Sequence, residues 1–121
     1  MKDNVVMTKS LAFSVRIVNL KRYLCEQKKE YVISQQVCRS GTSIGANIAE
    51  EQRAQSTADF VSKMKIALKE ANETQYWLQS LRETKYITEV EFCSIHDDLV
   101  EILKILTAIC KNYPQSNQNH L

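Results

Sequence analysis

Residues 88–113 read TEVEFCSIHDDLVEILKILTAICKNY, and this stretch decides the fold class. Its apolar side chains recur at alternating spacings of three and four residues, which places them along one face of an α-helix. They are Phe92, Ile95, Leu99, Ile102, Leu106, Ile109 and Tyr113. We therefore expect an amphipathic helix that starts after Thr88 and ends before Pro114. Glu89 and Glu91 would lie in its first turn, where acidic side chains complement the helix dipole.

The same periodicity upstream predicts a helix over residues 4–25. It carries two adjoining apolar stripes, which indicate a wide buried surface. One stripe comprises Leu11, Val15 and Val18, and the other comprises Phe13, Ile17, Leu20 and Leu24. Further apolar residues lie off the main stripes of the later helices, at Ile66, Val100, Leu103 and Ile105. This apolar surface exceeds what one small bundle should bury, so it predicts contacts between subunits.

Two more helices are predicted between these. The second covers residues 31–55. At residues 40–45 both glycines lie among hydroxyl residues, so we expect either a kink or break there or close packing against another backbone. The third covers residues 57–85, with Ser56 as its N-cap. Four amphipathic helices joined by short loops predict an all-α, antiparallel up-and-down four-helix bundle. We expect one domain over residues 1–113 and a disordered polar tail over residues 114–121.

Composition supports this class of fold. The chain of 121 residues has only 2 Gly and 1 Pro, too few for the turns of a many-stranded β-domain. No stretch is long and apolar enough for a signal peptide or a membrane span, so we expect a cytoplasmic protein. The four cysteines form no CxxC pair and lie among apolar neighbours, which predicts buried free thiols.

Charge is unevenly distributed along the chain. The net charge is only +2, but residues 1–39 carry eight Lys/Arg against three Asp/Glu, whereas residues 83–101 carry six Asp/Glu against one Lys. The first helix and its following turn therefore offer a basic surface that could neutralise phosphates without reading base sequence. The candidate nucleic-acid-binding residues are Arg16, Lys21, Arg22, Lys28 and Lys29. The alternative is an ordinary solvated helix face.

Polar residues on the second and third helices form another candidate group. Since a buried carboxylate needs a cation or several donors, they predict a buried network that fixes the register of the two helices. The group comprises Arg39, Asn47, Glu50, Glu70 and Glu73. The alternative is an active-site pair formed by Glu70 and Glu73, but no catalytic partner accompanies it, so we expect no enzymatic activity.

Metal and nucleophile chemistry have little support. His96 and His120 are the only histidines, and no Glu-x-x-His pair of the di-iron type is present. We therefore expect no metal site and no cofactor, with His96 an ordinary residue of a helix face. Cys93 and His96 are three residues apart, but no oxyanion loop accompanies them, and Cys93 is interpreted as a small core residue.

Two segments then resemble a known family. Residues 43–50, SIGANIAE, resemble its Ser-Ile-Pro-x-Asn-Ile-Ala-Glu-Gly signature, and residues 67–78, ALKEANETQYWL, resemble its third-helix pattern. The family is named for proteins encoded in intervening sequences of bacterial 23S ribosomal RNA genes, and is also labelled a ribosomal protein family. The resemblance covers residues 4–113. Gly45 replaces the usual Pro and Glu51 replaces the usual Gly.

The resemblance implies a small antiparallel bundle that assembles into a homopentamer, with no enzymatic activity attributed to the family. A relative, the accessory protein of diversity-generating retroelements, shares the fold, the pentamer and a basic surface, and binds nucleic acid and a reverse transcriptase. We therefore expect a non-catalytic homo-oligomer associated with RNA or DNA, and the relative's binding of a reverse transcriptase suggests a partner protein as well. The alternative is a structural or protein-interaction scaffold without nucleic-acid binding.

Overall fold

The computed structural model describes residues 5–51 and 56–112, and all regular structure within these ranges is helical. The predicted end of the second helix at residues 52–55 and the predicted polar tail lie outside the described residues. The helices are α1 (Val5–Glu26), α2 (Ile33–Glu51), α3 (Thr57–Glu83) and α4 (Glu89–Asn112). Each helix packs against the next, and α4 returns to pack against α1. The predicted all-α four-helix bundle is therefore confirmed.

The core is formed by the inward stripe of each helix. Phe13, Ile17, Leu78 and Leu99 are among the side chains that are almost completely buried. The predicted stripe of Leu11, Val15 and Val18 instead lies on the outward face of α1 and is exposed to solvent. Only one of the two α1 stripes is therefore buried within a single subunit.

The helix α2 runs without interruption through residues 40–45, so the predicted break is wrong. Both glycines lie where α2 approaches α1. A Cβ atom at Gly41 would be 2.9 Å from Cγ1 of the buried Ile17, and one at Gly45 would be 3.4 Å from the carbonyl oxygen of Ser10. The glycines thus allow the two backbones to come close, which was the other interpretation of the small residues. Burial of Ile17 against this site compensates for the poor helix propensity of Gly.

Side-chain caps define the starts of α3 and α4. The backbone N–H of Asp59 donates to Oγ of Ser56 at 3.1 Å, which confirms Ser56 as the N-cap of α3. At α4 the N–H of Glu91 donates to Oγ1 of Thr88 at 3.1 Å, and the N–H of Thr88 donates to Oε1 of Glu91 at 2.8 Å. This reciprocal pair is a capping box.

The start of α2 is capped in a way that the sequence did not indicate. Glu30 is only 8% exposed, and its carboxylate accepts the backbone N–H groups of Val32 at 3.1 Å, Ile33 at 2.8 Å and Ser34 at 2.7 Å. These amides have no partner within the helix, and a negative charge is favourable at a helix N-terminus. Glu30 therefore fixes the loop between α1 and α2 to the first turn of α2.

Replacing Glu30 by Ala should lower the free energy of unfolding by about 2–3 kcal/mol, because three amides lose a charged acceptor. Glu30→Gln keeps one acceptor oxygen and should cost less. Urea denaturation followed by circular dichroism measures both changes. Glu26→Ala, at an exposed position in the last turn of α1, is the control and should unfold like the parent. An unchanged urea midpoint for Glu30→Ala would show that the cap contributes nothing.

Candidate nucleic-acid interface

Four of the predicted nucleic-acid-binding residues gather at one end of the bundle, and we call Lys21, Arg22, Lys28 and Lys29 the basic end. Lys21 and Arg22 lie in the last two turns of α1, and Lys28 and Lys29 lie in the loop that follows. Arg22, Lys28 and Lys29 are exposed, whereas Lys21 is half-buried. Within the described residues none of the four forms an ion pair. Their charges are therefore available to an external anion.

Local contacts orient part of the basic end. Arg22 Nη1 donates to Oδ1 of Asn19 at 3.2 Å, and Lys28 Nζ lies over the ring of Tyr23, 5.8 Å from its centroid. Lys29 has a φ of 56°, a left-handed conformation that a residue other than glycine seldom adopts. The chain reverses direction here between α1 and α2, which leaves the side chains of Lys28 and Lys29 exposed.

The fifth candidate, Arg16, is in a different situation. Its Nη1 lies 2.8 Å from Oδ2 of Asp98 and also donates to the carbonyl oxygen of Ser94 at 3.1 Å. Farther along the same side, Lys9 Nζ lies 2.8 Å from Oε1 of Glu101, and this hydrogen bond raises the pKa of Lys9. Both cations are thus paired with acids of α4 across the contact between α1 and α4.

The two acidic residues nearest to the basic end along the chain differ in exposure. Glu26 and Glu30 are the acids nearest to these lysines along the chain. The carboxylate of Glu30 is buried and satisfied by three backbone amides, as described above. Glu26 is therefore the exposed acid of this segment, whereas the carboxylate of Glu30 faces the backbone amides at the start of α2.

A groove lies beside the basic end, between the C-terminal half of α1 and the N-terminal half of α4. It has a volume of about 480 Å³. Its lining is mostly apolar, from Leu20, Tyr23, Ile87, Val90 and Ile95. Since Lys28 lies over Tyr23, the groove is continuous with the basic loop.

The polar residues of α2 and α3 form only part of the predicted network. Arg39 Nη1 lies 3.4 Å from Oε1 of Glu70, and its Nη2 contacts Oε2 of Glu73. Trp77 Nε1 donates to the same oxygen of Glu73 at 3.0 Å. This charged cluster links α2 to α3, as the sequence predicted for Arg39, Glu70 and Glu73.

The other two members lie elsewhere, and the cluster is not buried. Asn47 donates to the carbonyl oxygen of Ser43 in its own helix at 2.9 Å, and Glu50 pairs with Lys63 at 2.6 Å. The side chain of Arg39 is 48% exposed. The expectation of one buried network is therefore corrected, because these residues lie near the solvent-facing edge between the two helices. Ion pairs at such positions contribute little to stability.

The sequence profile of the 23S rRNA-intervening sequence protein family matches residues 2–108. The chain belongs to this family. A crystal structure of a protein of unknown function from the S23 ribosomal protein family of Bacteroides thetaiotaomicron VPI-5482 is similar. It shares 59% sequence identity with a TM-score of 0.89, over 92% of this chain and 99% of that chain. No protein of curated function matches the chain.

In this member of the 23S rRNA-intervening sequence protein family, the signature segment lies within α2. Ile44 and Ile48 are fully buried, and Gly45 faces α1. Proline at position 45 would remove a backbone N–H from the helix and would favour a kink. Gly45 keeps that N–H, which accounts for the continuous helix at this position.

The structure shows the surroundings of the four cysteines and of His96 in this family member. All four cysteines are free, as predicted, but Cys93 is exposed and the other three are half-buried, so the predicted burial is wrong. Desolvation and the neighbouring Glu89 carboxylate raise the pKa of the Cys93 thiol above its ordinary value. His96 stacks on Phe92 with ring centroids 4.7 Å apart, and its Nε2 lies 2.8 Å from Nε2 of Gln75. His96 thus packs between α3 and α4.

Two further properties of the described residues concern metal ions and membranes. No group of three or more His, Cys, Asp or Glu side chains is arranged to hold a metal ion in these ranges. None of the four described helices is long and apolar enough to cross a membrane.

Proposed function

We propose that this protein is a non-catalytic homo-oligomer that associates with RNA through the basic end. The observation that carries the proposal is the set of four cations at one end of the bundle that form no ion pair within residues 5–51 and 56–112. The family resemblance suggests five subunits, and the cytoplasmic location expected from the sequence is part of the proposal. In a ring the basic end is repeated once per subunit, so weak phosphate contacts combine into multivalent binding.

Assembly is supported by the outward stripe of α1, which comprises Leu11, Val15 and Val18. Their exposed fractions are 60%, 55% and 37%. Spacings of four and three residues make them one continuous apolar surface on the helix. Contiguous apolar surface of this kind is typical of a contact between proteins. Of the other apolar residues predicted for contacts, Ile66 is also exposed, whereas Val100, Leu103 and Ile105 are half-buried.

The test is binding of labelled 23S ribosomal RNA fragments, measured by fluorescence anisotropy at about 50 and 200 mM salt. We expect the affinity to fall by about a thousandfold between the two, as for a protein that neutralises six or more phosphates. Absence of binding at the lower salt concentration would contradict the proposal.

The second candidate is an oligomeric scaffold that contacts a partner protein and no nucleic acid. It is favoured by the pairing of Lys9 and Arg16 with Glu101 and Asp98, which removes two cations of α1 from the basic surface. Under this alternative, oligomerisation persists and RNA binding is absent at both salt concentrations.

A further inference from the structure

We infer that the basic end binds unpaired RNA in preference to duplex RNA, with Tyr31 as a stacking surface for one base and the groove beside Tyr23 as the site of another. This inference rests on the proposed function and names the form of RNA that the basic end takes. Lysines alone attract any phosphate backbone. Aromatic rings beside them favour strands whose bases are free to stack.

Tyr31 is presented to solvent from a fixed backbone. Its side chain is 58% exposed. The residue before it, Glu30, is buried, and the Glu30 carboxylate binds the backbone N–H groups of Val32 and Ile33 directly after it. The ring therefore projects from an ordered loop that also carries Lys28 and Lys29. A stacking platform held in place loses little conformational entropy when a base binds.

Tyr23 lines the groove between α1 and α4, whose remaining apolar lining comes from Leu20, Ile87, Val90 and Ile95. A flat, largely apolar base fits such a groove, and Lys28, whose Nζ lies 5.8 Å from the centroid of the Tyr23 ring, supplies a cation for the phosphate of that nucleotide. Glu91 also lines the groove, but its Oε1 accepts the N–H of Thr88 as part of the α4 cap. The groove therefore has Lys28 beside it on the α1 side and the carboxylate of Glu91 on the α4 side.

Duplex RNA cannot use these features. Its bases are paired and stacked inside the helix, so only phosphates and sugars reach the protein. An unpaired strand offers the same phosphates and, in addition, free bases. Tyr31 and the groove beside Tyr23 therefore predict a preference for unpaired RNA that charge alone would not give.

The experiment compares Tyr31→Ala with Tyr76→Ala, using a labelled single strand, a duplex and an abasic strand of equal length. Tyr76 is a matched control because it is 60% exposed and lies on α3, which does not pack against α1. We expect Tyr31→Ala to weaken single-strand binding about tenfold, the size of one lost base stack. Duplex and abasic binding should not change, and Tyr31→Phe should bind the single strand like the parent.

A positional readout accompanies the affinities. A single strand containing 4-thiouridine should cross-link on irradiation to Tyr31 and Tyr23, as identified by mass spectrometry of the peptides. If the parent binds single strand, duplex and abasic strand equally, or Tyr31→Ala binds all three like the parent, the inference is wrong while the proposed function stands. If the parent binds none of the three, the proposed function fails as well.

Discussion

Replacing Leu11 and Val15 together by glutamate should break the assembly into single subunits of 13.9 kDa while leaving each bundle folded. Both side chains are more than half exposed in one subunit, so glutamate there remains solvated, and it is a better helix former than valine. At a contact between subunits the same substitution would bury an unpaired charge. We expect a loss of about 2 kcal/mol or more at each interface.

Light scattering coupled to gel filtration measures the mass, and circular dichroism verifies that the variant is folded. Val90→Glu is the matched control, because Val90 is 79% exposed but lies on α4, away from the outward stripe of α1. It should retain the mass of the parent. A parent that already runs at 13.9 kDa, or a double variant that keeps the mass of the parent, would show that the stripe of α1 is not an interface.

The fold was predictable because helical periodicity is a local signal. The alternating spacings of three and four residues from Phe92 to Leu106 allow only one face of the helix to be buried. The residues at these spacings are buried as expected. Helix starts marked by common capping residues, Ser56 and Thr88, were also found from sequence. These features depend on residues that are neighbours along the chain.

The errors came from interactions that depend on tertiary structure. Gly41 predicts a break from its own propensity, but its fit against Ile17 of α1 keeps the helix intact. Glu30 is not a common capping residue, and nothing in its sequence context indicates that its carboxylate folds back onto three amides. The conformation of the loop, rather than the type of residue, decides that role.

In the candidate site too, features set by neighbouring residues were predicted from the sequence, whereas features set by distant contacts were not. The basic end is contiguous in sequence, so the charge pattern alone brought its four residues together. Arg16 had to be set apart once the structure showed its contact with Asp98, which is 82 positions away. Likewise Glu50 could not be separated from Glu70 and Glu73 until its contact with Lys63 was known.

Changing Lys21, Arg22, Lys28 and Lys29 together to glutamate should abolish RNA binding by the assembled protein. The substitutions turn four cations into four anions in every subunit. Within the described residues no ion pair neutralises these cations in the parent. At about 50 mM salt, where phosphate contacts dominate, we expect the affinity to fall by at least about 100-fold. Changing the three lysines to arginine keeps the charge and should leave binding close to that of the parent.

A second variant separates a local effect from a change in net charge. It reverses the same number of cations away from the basic end, at Lys65, Lys69, Lys104 and Lys111. If the basic end is the binding surface, this control should weaken binding much less, since attraction between exposed charges is screened beyond about 10 Å at moderate salt. Equal losses in the two variants would mean that overall charge alone governs binding.

Assembly has to be measured in the same samples. Arg22 lies four residues after Val18 and continues the spacing of the outward stripe, so its replacement could also affect contacts between subunits. Light scattering therefore has to show that the variant with four glutamates keeps the mass of the parent. An assembled variant that still binds RNA as tightly as the parent at low salt would exclude the basic end as the binding surface. Multivalent binding instead predicts a large loss of RNA affinity, because each subunit that loses its phosphate contacts weakens the binding of the whole ring.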